Sequence, residues 1–181
     1  MRVGLPKEIK NHEYRVGLTP RSVRESTFRG HAVLVQTGAG AAIGLTDAQY
    51  VAAGATLAPD AASVFAASEM VVKVKEPQPR ECAMLRADQI LYTYLHLALA
   101  PDPDQTAALV KSGAVCIAYE TITITITGTG TGGGLPLLAP VSEVAGRMAM
   151  QAGATHLEIT LPADKPVCDH RVAVDHRHLA G

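Results

Sequence analysis

Tryptophan is absent from this 181-residue chain, and aromatic residues of all kinds reach only 4%. The core must therefore be built from alanine, valine and leucine, packed as aliphatic layers rather than around large rings. Only Cys82, Cys116 and Cys168 carry sulfhydryls, and their odd number and wide scatter exclude a disulfide framework. They fit reduced thiols, and with them a cytoplasmic setting. Neither sign of charge dominates: the formal net charge is -1, which gives no ground for binding nucleic acid or an acidic membrane surface. Apolar runs stop well short of the roughly 18–20 residues that a bilayer span requires. The N-terminus carries Arg2, Lys7, Glu8 and Lys10 without a long apolar stretch, so it does not read as a secretory signal.

What is present is a regular alternation of short apolar runs and helical stretches. Residues 2–5 read as a first strand, followed by a polar loop or hairpin from Glu8 to Leu18. Thr19-Pro20 marks a helix start, with threonine as N-cap and proline where its missing N–H costs nothing. That helix ends near Gly30. Ala32–Val35 is a strand, Thr37–Gly44 a glycine-rich turn, and Thr46-Asp47 opens a short helix that stops at Gly54. Further helices are expected at 61–67, 78–86 and 103–112, and further strands at 70–74, 89–95 and 114–119. Strands alternating with helices at such short intervals specify an α/β fold, a parallel sheet flanked by helices. Right-handed crossovers then bring the ends of the 70–74 and 89–95 strands to one edge.

Two regions break this pattern. Thr121–Thr127 alternates Thr and Ile strictly and runs into a Gly/Thr tract ending at Gly134, which reads as an extended hairpin arm on a flexible tether. Ile159–Gly181 has no helical or strand period and is expected to be a separate tail. Between them, Ser142–Leu157 is the clearest helix, with Val144, Met148 and Ala152 four residues apart and Ser142 at its N-cap. The expected organisation is a domain over 1–139, a connecting helix over 140–158, and the tail over 159–181.

Candidate chemistry gathers at the strand ends. The run Met70–Val74 stops at Lys75, and the run Gln89–Leu95 stops at His96. In open α/β sheets the carboxyl ends of the strands are where ligands bind. An ammonium there polarises a carbonyl or holds a carboxylate, and an imidazole there moves protons near neutral pH. The structural alternatives are a snorkelling lysine paired with Glu76 and a satisfied core histidine. Tyr92 and Tyr94 share the strand face of His96 by period two and could supply hydroxyl partners. Arg15, in the polar loop, could fork onto a substrate carboxylate, or simply be solvated.

Two glycine stretches invite a dinucleotide reading and do not sustain it. Gly38-Ala39-Gly40-Ala41-Ala42-Ile43-Gly44 misses the fingerprint spacing by one residue. Gly128–Gly133 matches G-x-G-x-x-G, but Leu135-Pro136 follows where a helix must begin, so it reads as low complexity. Cys168-x-His170 and His176-x-His178 match no closed zinc site, and no metal is expected.

Taken together, several segments resemble the alanine dehydrogenase/transhydrogenase N-terminal domain family, and its dehydrogenase branch in particular. They are Met1–Glu8, Asn11 to Arg15 with Thr19-Pro20, Gly30–Val35, Thr37–Gly40, Lys73–Pro77, Tyr94–Ala98, Ala118–Thr121 and Leu135–Arg147. The resemblance runs from residue 1 to about 158, the arm excepted. It favours the dehydrogenases over the related transhydrogenases, which lack the second lysine of the 73–77 motif and the histidine ending the next strand. It implies a Rossmann-like substrate domain, NAD-dependent oxidation of L-alanine to pyruvate and ammonia, and a homo-oligomer. It further implies that Arg15 and Lys75 grip the substrate, that His96 is the acid–base residue, and that Ser142 touches the cofactor. Tail residues 159–181 resemble nothing in the family, and most of the NAD site is not in this sequence. The chain by itself is therefore expected not to reduce NAD; it reads as the substrate-binding half of such a dehydrogenase, with a small keto-acid binding module or an inactive truncated remnant as alternatives and a transhydrogenase-related subunit further off.

Overall fold

The computed structural model describes residues 1–97, 103–123 and 134–157. Six parallel strands form one sheet, in the order β3-β2-β1-β4-β5-β6. They are β1 (Arg2–Leu5), β2 (Ala32–Gln36), β3 (Thr56–Ala58), β4 (Met70–Val72), β5 (Ile90–Thr93) and β6 (Val115–Ala118). Helices α1 (Pro20–Phe28), α2 (Asp47–Ala52), α3 (Ala61–Ala67), α4 (Pro79–Cys82) and α5 (Pro103–Ser112) connect them, and α6 (Ala139–Leu157) follows β6.

Local chemistry explains most of these boundaries. Thr19 caps α1 by accepting the Ser22 N–H, with Pro20 in the first turn. Thr46 and Gln49 close a reciprocal capping box on α2, and Asp60 caps α3 through the Ser63 N–H. Gly30, Gly44, Gly54 and Gly113 end their segments at positive φ, a conformation that costs glycine nothing.

The sheet buries a cluster on each face. Val3 and Leu5 of β1 join Val33, Val35, Val23 of α1 and Tyr50 of α2. Val71 and Leu91, on the opposite face, join Phe65, Cys82, Leu85 and Leu109. Gly4 lets α3 approach β1: a Cβ there would lie 2.2 Å from Ser68 Oγ and 2.7 Å from Val64 Cγ1. On the first face α1 packs on β2 and α2 on β3. Beside them, over β1, β4 and β5, lies an apolar hollow of about 530 Å³ whose lining includes Val3, Val72, Val74, Tyr92, Tyr119 and Leu137.

Several expectations need correcting. The β3 strand was not foreseen, because three residues without β-branching beyond Thr56 give no pattern to read. Strands β4 and β5 end at Val72 and Thr93, so Lys75 and His96 lie just past them. Helix α4 is four residues, not nine. Helix α6 begins at Ala139, so Ser142 is inside its first turn and is not the N-cap. Pro140 explains the earlier start, since early helical positions need no N–H donor. Most of the arm, the 128–133 glycines and all of the tail lie outside the described residues.

The chain divides into two compact units, Met1–Pro140 and Val141–Gly181. In the second unit, Val144 and Met148 of α6 are exposed. No helix among the described residues is long and apolar enough to cross a membrane.

Candidate active site at the strand switch point

The chain begins in the middle of the sheet. It builds outward through β2 and β3, then returns to place β4 on the other side of β1. Between β1 and β4 the connections leave in opposite directions, and a crevice opens at their carboxyl ends. Everything the chain places there follows from this reversal.

Glu8, three residues past β1, turns into the crevice. Its Oε1 accepts the Val74 N–H at 2.7 Å and the Lys75 N–H at 3.4 Å, and its Oε2 lies 3.0 Å from Lys73 Nζ. Lys73 also donates to Glu81 Oε1 at 2.6 Å. The Lys73 side chain is fully buried, and the Glu8 and Glu81 side chains are 4% and 1% exposed. Burial pushes the Glu81 carboxyl above the usual range, and the Lys73 ammonium pulls it back. Sequence reading missed this triad. The signal available was a lysine inside an apolar run, which must find a counter-charge when buried.

Lys75 is half-buried just beyond, and its carbonyl accepts the Thr93 Oγ1 hydrogen at 2.8 Å. Glu76 does not pair with Lys75, as the structural alternative had it; it pairs with Lys10. Parallel pairing continues past the formal strand ends, with Lys73 N–H on the Tyr92 carbonyl at 3.0 Å and Tyr94 N–H on the Val74 carbonyl at 3.2 Å. These bonds hold the Lys75 and His96 segments side by side.

His96 adopts φ 55°, a left-handed conformation unusual for a residue with a side chain. Glu120 holds it there. Its Oε1 accepts the His96 N–H at 2.6 Å and the Leu95 N–H at 3.1 Å. The imidazole stacks on the Tyr94 ring, 5.7 Å between centroids and 10° between planes. Tyr94 does not use its hydroxyl on His96; it donates to the Leu137 carbonyl at 2.7 Å. Tyr92 and Tyr94 both pack edge-to-face on Tyr119, whose phenol is pushed upward chiefly by burial. Burial also raises the Tyr94 phenol, against an opposing pull from the Arg15 guanidinium.

Arg15 is half-exposed, and its fork engages a partner from its own loop. Arg15 Nε and Nη2 donate to Glu13 Oε1 and Oε2 at 2.8 and 2.6 Å. Arg15 and, more weakly, Lys75 hold the Glu13 carboxyl below its usual range. Arg15 and Lys75 thus both act on one carboxylate, while Arg15 also acts on the tyrosine that stacks with His96. Ser142 lies in the second compact unit, four residues into α6.

A dinucleotide needs free amides where a strand turns sharply into a helix. The described turns at this edge do not offer them. The β1 turn runs through a long polar loop before α1. In the β2 turn, the Gly38 N–H already donates to Asp47 Oδ1 at 2.8 Å, and Gly40 packs against Leu45. The described residues do not fit NAD. Nor do they include a group of three or more His, Cys, Asp or Glu side chains placed to hold a metal.

Comparison with known proteins adds the lineage. Residues 4–145 match the family model "Alanine dehydrogenase/PNT, N-terminal domain". The chain belongs to this family. Among relatives of this alanine dehydrogenase/PNT N-terminal domain, the alanine dehydrogenase of Halomonas elongata is 52% identical, over 96% of this chain and 47% of its own. That of Mycobacterium tuberculosis is also 52% identical, over 87% of this chain and 40% of its own. The Halomonas match cannot reach 96% without entering residues 159–181. The tail is therefore not wholly foreign to the family, contrary to the expectation from sequence. A solved L-alanine dehydrogenase superposes with a TM-score of 0.75 at 47% identity, covering 87% of this chain and 41% of that one. A transhydrogenase from Sinorhizobium meliloti is more distant, with a TM-score of 0.63 at 25% identity over 70% of this chain and 37% of its own. The chain spans less than half the length of each of these relatives.

Proposed function

We propose that this chain is the substrate-binding half of an NAD-dependent L-alanine dehydrogenase, and that its own residues capture pyruvate or alanine. One observation carries the reading: the segments that end in Lys75 and His96 are tied side by side by the Tyr94 N–H on the Val74 carbonyl at 3.2 Å, and the Tyr94 ring that stacks on His96 feels the Arg15 guanidinium. A guanidinium and an ammonium whose fields both lower the Glu13 carboxyl supply the electrostatics a small keto acid requires.

In this reading Arg15 anchors the substrate carboxylate. Lys75 donates a hydrogen bond to the keto oxygen and draws electron density from the carbonyl carbon. His96 gives up a proton as water leaves the carbinolamine and takes one in the oxidative direction. Its backbone, held by Glu120, and its ring, stacked on Tyr94, hold the imidazole in place for that transfer. NAD, which would accept the hydride, would have to be held by residues other than those described. Residues 1–139 serve as the substrate domain and 140–158 as the connecting helix that carries Ser142, the family's cofactor-contact position, and the whole works as a cytoplasmic homo-oligomer.

The test is pyruvate binding to the purified chain by isothermal titration. Binding that is lost in Arg15→Ala and in Lys75→Ala, with the thermal transition retained, is the expected result. His96→Ala should leave binding nearly intact. Binding unaffected by either cation's removal refutes the assignment. Alanine and NAD together should give no absorbance at 340 nm with this chain alone, and growth of that signal refutes the half-site reading.

A further inference from the structure

The Glu13–Arg15 pair is not an ordinary surface ion pair. Two residues apart in a loop, such a pair is normally solvated on both sides and contributes little. Here the Glu13 side chain is 6% exposed while Arg15 is 50% exposed. The carboxylate is turned inward and the guanidinium outward. Glu13 Oε1 also accepts the Arg15 backbone N–H at 2.9 Å, so one carboxylate fixes both the start and the tip of the arginine.

A guanidinium has two edges able to grip a carboxylate, one made by Nε and Nη2 and one made by Nη1 and Nη2. Glu13 takes the first. Among the described residues the second has no hydrogen-bond partner. Glu13, Arg15, Glu8 and Lys10 line a hollow of about 390 Å³ on this loop. A long flexible side chain would otherwise lose considerable rotamer freedom on gripping a ligand, and a pre-formed fork has already lost it.

Building on the function proposed above, we infer that Glu13 is a positioning and charge-selecting residue. It holds Arg15 by one edge so that the other meets the substrate carboxylate, and its negative charge limits the pocket to ligands with a single carboxylate. Without that charge the Arg15 guanidinium would stand uncompensated and favour dianions.

The experiment compares oxamate and oxalate, planar ions of nearly the same size that differ by one negative charge, on the wild-type chain, Glu13→Gln and Glu13→Asp. Glutamine keeps the volume and removes the charge. Aspartate keeps the charge and shortens the reach. In Glu13→Gln, oxamate should bind about tenfold more weakly, as expected for losing a charge-assisted contact that orders the arginine. The preference for oxalate over oxamate should rise about tenfold, as expected for removing a like charge at short range. In Glu13→Asp both ligands should weaken with the preference unchanged. Equal affinities in wild type and Glu13→Gln, or a shared loss without a change in preference, overturn the inference.

A ligand-free readout separates this inference from the function itself. The Arg15 Nε–H should give a protected, downfield NMR signal in the wild type that is lost in Glu13→Gln. If the wild-type chain binds neither ion but shows that signal, the keto-acid function fails and the grip stands. If the signal is absent from the wild type, the grip fails whatever the ligand does.

Discussion

Replacing Lys73 with methionine keeps a side chain of similar length and removes its charge from a place water does not reach. Lys73 Nζ sits 3.0 Å from Glu8 and 2.6 Å from Glu81, and all three side chains are buried. Removing one member of such a group leaves uncompensated charge, which costs about 3–5 kcal/mol. For a chain of this size that corresponds to a drop in melting temperature of roughly 6–20 °C. The loss should depend on pH. Burial already raises the Glu81 carboxyl, and without the ammonium only the Gln78 N–H still opposes it, so its folded-state value rises further above the unfolded one. A raised value favours the fold below the unfolded-state value, and this benefit is lost as pH rises through the folded-state value. The gap between wild type and variant should therefore be widest near neutrality and narrow in acid. Urea titrations followed by circular dichroism at pH 7 and at pH 4.5 measure both points. Lys73→Met combined with Glu81→Met should recover only part of the loss, because a buried pair replaced by apolar side chains is often neutral but Glu8 is still left without its ammonium. Loss of the Glu8 anchor should also speed amide exchange at Val74 and Lys75. A variant as stable as wild type at pH 7, or a deficit that stays constant with pH, would show that the triad does not hold the crevice together.

Glu120→Gln should loosen the His96 backbone, since a neutral amide accepts more weakly from the Leu95 and His96 N–H groups; amide exchange at both should quicken about tenfold, and unchanged exchange would refute the account. Tyr50 is buried, donates to the Leu18 carbonyl at 2.9 Å, and has its phenol pushed up from 10.0 to about 12, chiefly by burial. The fold therefore keeps its proton where the unfolded chain releases it: the contribution of Tyr50 is complete below pH 10.0 and is lost as pH rises through about 12. Tyr50→Phe should cost about 1 kcal/mol at pH 7 through the lost hydrogen bond and should flatten the alkaline limb of the stability profile. Thermal melts from pH 8 to pH 12 check this, and an alkaline limb as steep as that of wild type would refute it.

Much of the architecture is written locally. Thr19-Pro20, Thr46-Asp47 and Asp60 announce helices because a side-chain oxygen there satisfies amides the helix itself leaves open. Apolar runs at 2–5, 32–35, 70–74 and 89–95 announce strands because both faces of a parallel sheet are covered. Where such marks are weak, the elements are not legible. Thr56–Ala58 is too short to show a period, and Leu138-Ala139-Pro140 offers no polar cap to mark where α6 begins.

Arg15, Lys75 and His96 were legible as candidates because each ionisable group follows or ends an apolar run or sits in a polar loop beside one. Their partners were not. Glu8 and Glu13 look like two more charges in a polar loop, and nothing in Lys73-Val74-Lys75 says which lysine goes inward. Composition and periodicity, then, determined the class of fold, most of its elements and the strand ends where chemistry would gather. The tertiary structure decided that β4 lies next to β1, bringing Glu8 to Lys73 across 65 positions of sequence. Capping and periodicity act within a few residues, whereas an ion pair depends on distance in space, and only the order of strands in the sheet sets that distance.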